Sequence, residues 1–192
     1  MLEASRLAVS PDGIKGGVIT SPIRQILIVP QETLEFFRLP PGALRENVVI
    51  DGGDVFGDLH ALPSGTVIQL GAIKVRLTIH CEPCPRIAHL VKPISAIKER
   101  RGYLGAVLNS GWLKSGDPLR LLGAQFEPIP FDIKARARWY LGKQAKPVPV
   151  MTFIRDMGLP RSYCRAVPAL LRPIPGGPSM VVFGSDDRGA KT

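Results

Sequence analysis

The chain has 192 residues, of which 45% are hydrophobic and 21% are charged, and it carries three cysteines and a formal net charge of +9. This composition favours a folded globular protein over a disordered one, and so few cysteines, odd in number, do not make a disulfide scaffold. No segment approaches the roughly 20 apolar residues of a membrane-spanning helix, and the start, MLEASRLAVSPDG, lacks the apolar run of a signal peptide, so we expect a soluble, cytoplasmic protein with no membrane partner.

Short segments rich in β-branched residues, several of them ending in Gly, Asn or Pro, dominate the first 125 residues and predict strands. They are Arg24–Val29, Asn47–Gly52, Thr66–Gly71, Ile73–His80, Tyr103–Gly111 and Asp117–Gly123. In the clearest, IKVRLTIH, the residues Ile73, Val75, Leu77 and Ile79 share one face, and Lys74, Arg76, Thr78 and His80 share the other. Helical patterns are few, at Gln31–Leu39 and Ile94–Gly102. Many short strands with turns between them predict a closed or strongly curved sheet.

The composition changes near the segment EPIPFD, Glu127–Asp132. Residues 1–131 contain 14 Lys+Arg and 12 Asp+Glu, a net of +2, whereas residues 132–192 contain 11 and 4, a net of +7. Helical segments are predicted at 133–143, where Asp132 is the N-cap, at 153–158 and at 162–172, and a last strand at 180–184. We therefore predict a β domain over 1–125, a linker with a connecting helix over 126–146, and a small basic module over 147–192. A cationic module attracts phosphate backbones, although an ordinary basic surface also accounts for the charge.

Two of the cysteines, Cys81 and Cys84, lie three residues apart in HCEPCPRI. Such a pair can bind metal, exchange electrons, carry sulfur or simply pack as two small hydrophobic side chains. Zinc fits poorly, because His80 and Cys81 point to opposite faces of an extended strand and no second Cys-x-x-Cys exists. A thioredoxin-like redox pair belongs at the start of a helix in a βαβ unit. Here the pair follows a predicted strand and Cys84 has a proline on each side, so a redox motif fits even less well than zinc. Arg86 is the cation that we expect to lower the pKa of the thiol.

Three ordered blocks, GALRENVVIDG, GTVIQLGAIKVRLTIHCEPC and RGYLGAVLNSGWLKSGDPLRLL, resemble the MOSC domain over about residues 7–123. This domain is found in molybdenum-cofactor sulfurases, in amidoxime-reducing enzymes and as stand-alone bacterial proteins. The resemblance implies a mainly β fold, a MOSC-like β-barrel with few helices. It makes Cys84 the recurrent cysteine that carries sulfur or ligates molybdenum, and Cys81 an auxiliary. Many relatives have Gly-Asp where this chain has Gly16-Gly17.

The resemblance also implies a function. It predicts binding of molybdenum cofactor, or sulfur carried on Cys84, in sulfur transfer or in the reduction of N-hydroxylated compounds. If the chain is an enzyme, it would be a molybdenum-dependent oxidoreductase or a sulfur transferase, with a sulfur donor protein as a partner. A pterin phosphate would be bound by arginine side chains and N–H donors, for which Arg45, Asn47 and Arg86 are the candidates.

The basic module has a resemblance of its own. VMTF (Val150–Phe153), CRAV (Cys164–Val167), RPIP (Arg172–Pro175) and PSMVVFGSDD (Pro178–Asp187) resemble the DNA-binding domain of alkylguanine-DNA alkyltransferases and alkyltransferase-like proteins. The resemblance implies a small helical, winged helix-turn-helix-like module that contacts DNA through Thr152, Phe153, Arg161, Arg165 and Ser179. Ser179 occupies the position of the alkyl-accepting cysteine, so alkyl transfer is not expected. The alternative function is a non-catalytic DNA-binding protein that recognises damaged bases, and the competing interpretation is a proline-rich appendage.

Overall fold

The computed structural model describes residues 4–18 and 21–184. The chain divides into two compact units. The first consists of the segments Met1–Ile19 and Arg24–Pro128, and the second consists of Thr20–Ile23 and Ile129–Thr192. Within the described residues, no helix is both long enough and apolar enough to cross a membrane.

The main element of the first unit is a six-stranded sheet that curls into a half-barrel. Its strands are β3 (Ile26–Pro30), β4 (Val48–Ile50), β5 (Thr66–Leu70), β6 (Ile73–His80), β7 (Tyr103–Val107) and β9 (Leu119–Ala124), in the order β4-β3-β7-β6-β5-β9. The pairs are antiparallel except for β3 with β4. The predicted mainly β fold with few helices is therefore confirmed.

The alternating pattern of β6 was predicted with its correct bounds. Ile73, Val75 and Leu77 are fully buried in the core, and Lys74 on the opposite face is exposed. Thr78 differs from the prediction, because it too is fully buried: its hydroxyl donates to the backbone oxygen of Leu104 at 2.8 Å, which satisfies the polar group inside the sheet.

A second, three-stranded sheet was not predicted. It has the order β2-β1-β8 and consists of β1 (Arg6–Ser10), β2 (Gly13–Ile14) and β8 (Gly111–Lys114). The single strand predicted over Tyr103–Gly111 therefore ends early, at Val107. Asn109 explains the break, since its Oδ1 accepts from the backbone N–H of Lys74 at 2.7 Å and its Nδ2 donates to the oxygen of Ala72 at 3.0 Å. These bonds fix a turn between β7 and β8.

The helices of the first unit are short. α1 (Gln31–Phe36) forms where it was predicted, and α2 (Gly53–Phe56) is a single turn. The helix predicted over Ile94–Gly102 is wrong beyond one 3-10 turn at Ile94–Ile97, because Lys98 has a non-helical ψ of 134° and Glu99 has a positive φ of 62°. Two further 3-10 turns lie at Leu59–Ala61 and Pro85–Ile87.

The second unit is a set of short helical segments around its own core. They are α3 (Ile133–Leu141), α4 (Val150–Asp156) and α5 (Val167–Leu171), with 3-10 turns at Arg161–Ala166 and Gly177–Met180 and a parallel pair of two-residue strands, β10 (Val148–Pro149) and β11 (Val181–Val182). The predicted N-cap is confirmed, because Asp132 Oδ1 accepts from Ala135 N at 2.8 Å. The helix predicted over 162–172 is split, since Pro168 lies in the first turn of α5 and cannot donate to the preceding segment. The winged helix-turn-helix stays a prediction.

Candidate functional site

Cys84 lies in the loop after β6, directly before the 3-10 turn at Pro85–Ile87. Its backbone is extended, with φ −144° and ψ 160°, and its carbonyl accepts from Ile87 N at 3.1 Å, which closes the turn. The side chain is half-buried, whereas Cys81, at the end of β6, is only 3% exposed. The two thiols therefore have different access to solvent, and Cys84 is the accessible one.

Arg101 is the residue that defines the surroundings of Cys84. Its guanidinium is buried, with the residue 5% exposed. Nη1 donates to Cys84 Sγ at 3.2 Å and also to the backbone oxygen of Glu82, and Nη2 donates to the oxygen of Leu44 at 3.4 Å. One arginine thus connects the cysteine loop with the segment that leads into Arg45-Glu46-Asn47.

The two thiols have opposite electrostatic environments. Burial raises the pKa of Cys81, and the nearby charges of Arg101 and Arg24 do not overcome it. For Cys84, burial also acts to raise the pKa, but the charge of Arg101, the backbone N–H of Arg86 and the hydrogen bond from Arg101 together lower it. Cys84 is therefore the more acidic thiol of the pair.

His60 holds the turn that carries Arg101. Its Nδ1 lies 3.1 Å from Asp58 Oδ1, and its Nε2 accepts from Gly102 N at 3.0 Å, which assigns the proton to Nδ1. Burial lowers the pKa of His60 below 6.5, although the Asp58 carboxylate acts to raise it. The carbonyl of Gly102 in turn accepts from Cys81 N at 2.9 Å. The turn is therefore fixed on both sides, and His60 is a positioning residue for Arg101.

A cavity of about 490 Å³ opens beside His60 and His80. The His80 ring packs edge-on against Tyr103, with centroids 4.7 Å apart, and its pKa is lowered by burial and then by His60. Phe36 and Arg100 also line this cavity, whereas Cys84 does not. Among the described residues, no three His, Cys, Asp or Glu side chains come together as in a metal site.

The predicted cofactor-binding residues lie at different places. Arg45 is exposed and has a positive φ of 64°. Asn47 is bound to β3: its Oδ1 accepts from Leu27 N at 2.7 Å, and its own N–H donates to the oxygen of Leu27 at 2.9 Å. Arg86 is exposed, and it is its backbone N–H that acts on Cys84. The cation hydrogen-bonded to Cys84 is thus Arg101 rather than Arg86, which corrects the sequence-based expectation.

The position of Arg101 beside the cysteine loop follows from the pairing of two predicted strands. β6 and β7 are antiparallel, and His80 pairs with Tyr103. Residues just before Tyr103 must therefore run beside residues just after His80, which places Arg101 next to the cysteine loop. The signal requires the strand register, which a bulge between Leu77 and His80 shifts, so residue spacing alone does not give it.

The residues predicted to contact DNA are spread over the second unit. Arg161 and Arg165 are exposed on the same 3-10 turn, and Thr152 is half-buried on α4. Ser179 is exposed, and its hydroxyl donates to Gly176 O at 2.8 Å. Phe153 is fully buried, so its ring is not available to a DNA backbone; it forms the core instead, because its place on the inner face of α4 turns it inward. Residues 185–187 of the predicted motif lie outside the described residues.

Comparisons with known proteins agree with the fold of the first unit. A protein-family search matches residues 17–120 to the MOSC domain. The solved structures that are similar include the YuaD protein from Bacillus subtilis (20% identity, 65% of this chain and 88% of that chain, TM-score 0.53), YiiM from Escherichia coli (17%, 86% and 84%, 0.52) and YiiM from Geobacillus stearothermophilus (18%, 97% and 82%, 0.50). No curated protein matches the chain. Nothing in these comparisons supports the alkyltransferase resemblance of the second unit.

Proposed function

The chain belongs to the MOSC domain family, and we propose that its first unit binds molybdenum cofactor or carries sulfur through Cys84. The observation that carries the proposal is the hydrogen bond from the buried Arg101 guanidinium to Cys84 Sγ. A thiolate held by a cation is both a soft metal ligand and a sulfur nucleophile. A half-buried thiol with an inert apolar role would not need a buried charge beside it.

The residues present fit a molybdenum cofactor by their chemistry. Cys84 offers the thiolate, and Arg45, Asn47 and Arg86 remain the candidates for holding a pterin phosphate, two of them as exposed cations. When bound, the cofactor would supply two-electron redox chemistry, such as the reduction of an N-hydroxylated compound with electrons from a redox partner. The chain's own contributions are Cys84, whose pKa is lowered and whose sulfur is oriented by Arg101, and the turn that His60 and Gly102 fix.

Sulfur transfer needs no further group from this chain. The Cys84 thiolate attacks the outer sulfur of a persulfide on a sulfur donor protein, the S–S bond of the donor breaks, and the donor leaves as a thiolate. Cys84 then holds the persulfide, and no net oxidation takes place. Arg101 stabilises the anionic sulfur before and after the transfer, because its Nη1 faces Sγ. Cys81, which is buried, keeps the auxiliary role that the family resemblance implies.

The test is to purify the protein from a host that makes molybdenum cofactor and to measure its molybdenum content and the mass of the Cys84 peptide. We expect molybdenum, or one added sulfur on Cys84, in the wild type and in Cys164→Ser, and neither in Cys84→Ser. Cys164 is the matched control, because it is a buried cysteine of the second unit that forms no disulfide. A wild-type protein with no molybdenum and no labile sulfur would overturn the proposal.

DNA binding by the second unit is a second candidate function, favoured by its surface charge. The described part of this unit carries exposed cations at Lys134, Arg138, Lys143, Lys146, Arg155, Arg161, Arg165 and Arg172, against the two carboxylates of Asp132 and Asp156. Such an excess suits a phosphate backbone. In a fluorescence anisotropy titration of a DNA duplex at low salt, we expect binding that Arg165→Ala weakens, with no alkyl transfer. A wild type that does not bind, or an unaffected variant, would exclude this function as stated.

A further inference from the structure

The pair of strands β1 and β8 has one face in the core and one face toward solvent. Leu7 and Val9 of β1 and Leu113 of β8 belong to the core cluster of the first unit or pack against it. Side chains alternate along a strand, so the residues between these three point the other way. They are Arg6, Ala8, Trp112 and Lys114, which we call the outer face.

The register of the two strands brings the residues of the outer face together. Arg6 is paired with Lys114, and Ala8 is paired with Trp112. Long and aromatic side chains on one face also reach their diagonal neighbours across the pair. The Arg6 guanidinium accordingly lies over the ring of Trp112, 4.5 Å from its centroid. The partner directly opposite the indole, Ala8, is small, so no bulky side chain covers the ring from that position.

Trp112 keeps much of its indole in solvent, at 49% exposure. A single exposed apolar side chain needs no explanation by itself, so the surroundings of the ring decide its meaning. Phe36 provides the contrast: it is 67% exposed and lies under Arg100, but the carboxylates of Glu32 and Glu99 line the same cavity as its ring. The outer face, in comparison, contains cations and no acidic residue.

The two cations of the outer face are not neutralised by the chain. Arg6 and Lys114 are like charges at directly opposed positions, which is an unfavourable pairing. Neither forms a salt bridge with a residue that the structure describes. Asp117, which follows β8, has its Oδ2 engaged by the backbone N–H of Lys114 at 2.8 Å, where it fixes the turn. A bound anion that contacts both cations would relieve their repulsion.

We propose that the outer face binds an unpaired nucleic acid strand, with a base stacked on Trp112 and its neighbouring phosphates bound by Arg6 and Lys114. Exposed aromatic rings beside cations are the combination that binds single strands, because bases stack on the ring while the cations hold the backbone. A guanidinium stacked on a ring keeps its N–H donors in its own plane, where a phosphate can accept them.

The strand must be unpaired, because a base inside a duplex is already stacked on both faces and cannot reach the indole. Unpaired DNA and unpaired RNA share this chemistry, since both offer base faces and phosphodiesters. The proposal uses neither Cys84 nor the cations of the second unit. It therefore stands or falls independently of the two functions proposed above.

The experiment reads the fluorescence of Trp112 in the full chain. Trp139 is the other tryptophan, and it packs against the core of the second unit, so Trp139→Phe makes Trp112 the sole indole. The ligands are short oligomers of deoxythymidylate and of uridylate, with oligoglutamate of equal charge as the comparison that has no bases. We expect saturable quenching by at least one of the two strands, and binding of oligoglutamate weaker by about tenfold or more.

The strand that binds more tightly identifies DNA or RNA as the source. Absence of saturable quenching by both strands would overturn the proposal. Equal affinity for oligoglutamate would also overturn it, because the face would then be a site for acidic peptides.

Substitutions locate the binding, measured by fluorescence anisotropy of the labelled strand. Trp112→Ala removes the stacking surface and should weaken binding by about tenfold or more. Lys114→Gln should make the slope of log affinity against log salt concentration shallower by about 0.7, the value of one phosphate contact on a single strand. Phe36→Ala is the matched control, because it removes an exposed ring that lies under an arginine elsewhere in the first unit. Unchanged binding in both Trp112→Ala and Lys114→Gln would refute the site.

A last variant separates this site from the second unit. Arg165→Ala, made together with Trp139→Phe, should leave the quenching of Trp112 by the strand unchanged, because Arg165 belongs to the other unit. A loss of affinity equal to that of Lys114→Gln would place the strand on the second unit and overturn the proposal.

Discussion

At the scale of single residues, the chemistry of the first unit depends on the competition between burial and charge at Cys84. Half-burial, the largest single effect, favours the neutral thiol, while the guanidinium of Arg101 at 3.2 Å and the backbone N–H groups of Arg86 and Ile87 favour the thiolate, and together they outweigh burial and lower the pKa. Arg101 can act so strongly because it is itself buried, where water screens its charge little. Cys81 has the same cation nearby but greater burial, and its pKa moves upward.

Removing the charge of Arg101 should therefore raise the pKa of Cys84. For Arg101→Gln we expect the rate of alkylation by iodoacetamide near neutral pH to fall by roughly tenfold for each unit by which the pKa rises. The measurement is the alkylation rate of Cys84 as a function of pH, read by mass spectrometry of the peptide. Arg86→Gln is the control, because that side chain is exposed and only its backbone contributes. A larger effect of Arg86→Gln than of Arg101→Gln would contradict this assignment.

His60 should make the stability of the first unit depend on pH. Its pKa in the folded protein is lowered, mainly by burial, from the ordinary 6.5, so the unfolded chain takes up the proton more readily. The contribution of His60 to the free energy of unfolding is then fully present above about pH 6.5 and is lost as the pH decreases through that value. Urea unfolding at about pH 7.5 and about pH 5.5 should show a smaller loss for His60→Gln than for the wild type. His89→Gln, at an exposed histidine, should behave as the wild type; an equal loss in all three proteins would exclude His60 as the source.

At the scale of elements, strands with a clean alternation were predictable, and contacts between elements were not. β6 was predicted with its correct bounds, because four apolar residues alternate along it without interruption. β1 and β8 were missed because they are short: only Leu7 and Val9 of β1 and Leu113 of β8 face the core, which is too few residues for an alternation to stand out from the sequence. The hydrogen bond of Arg101 to Cys84 joins residues 17 apart, and it follows only from the register of β6 and β7. The local residue pattern thus predicts single strands, whereas the contact between Arg101 and Cys84 depends on how β6 and β7 pair.

The turn before β7 should tolerate no side chain at Gly102. This glycine has a φ of +109°, and a Cβ there would lie 2.4 Å from the oxygen of Ile28 and 2.8 Å from Val29 Cγ2. Gly102→Ala should therefore lower the free energy of unfolding by about 3 kcal/mol, from backbone strain and steric overlap together. Gly123→Ala separates the two causes, because Gly123 also has a positive φ, +82°, but open space around it, so about 1 kcal/mol is expected. Urea denaturation measures both, and equal losses would show that the contact with Ile28 is irrelevant.

At the scale of the whole molecule, charge is divided unequally along the chain. Residues 1–131 have a net charge of +2 and residues 132–192 one of +7, so an attraction for phosphate is concentrated in the second part. In the described part of the second unit every Lys and Arg except Arg136 is exposed. Arg136 instead donates to the backbone oxygens of Phe131 and Met157, which is a structural role.

If the second unit binds DNA, the salt dependence should report which cations take part. Each phosphate contact contributes about 0.9 to the slope of log affinity against log salt concentration. The double variant Arg161→Gln with Arg165→Gln should therefore make the slope shallower by about 2, whereas Lys15→Gln with Lys74→Gln, which removes the same charge from exposed positions of the first unit, should leave it unchanged. Anisotropy titrations of one duplex over a range of salt concentrations give both slopes. Equal changes in the two variants would mean that the chain's total charge, rather than a surface of the second unit, attracts the DNA.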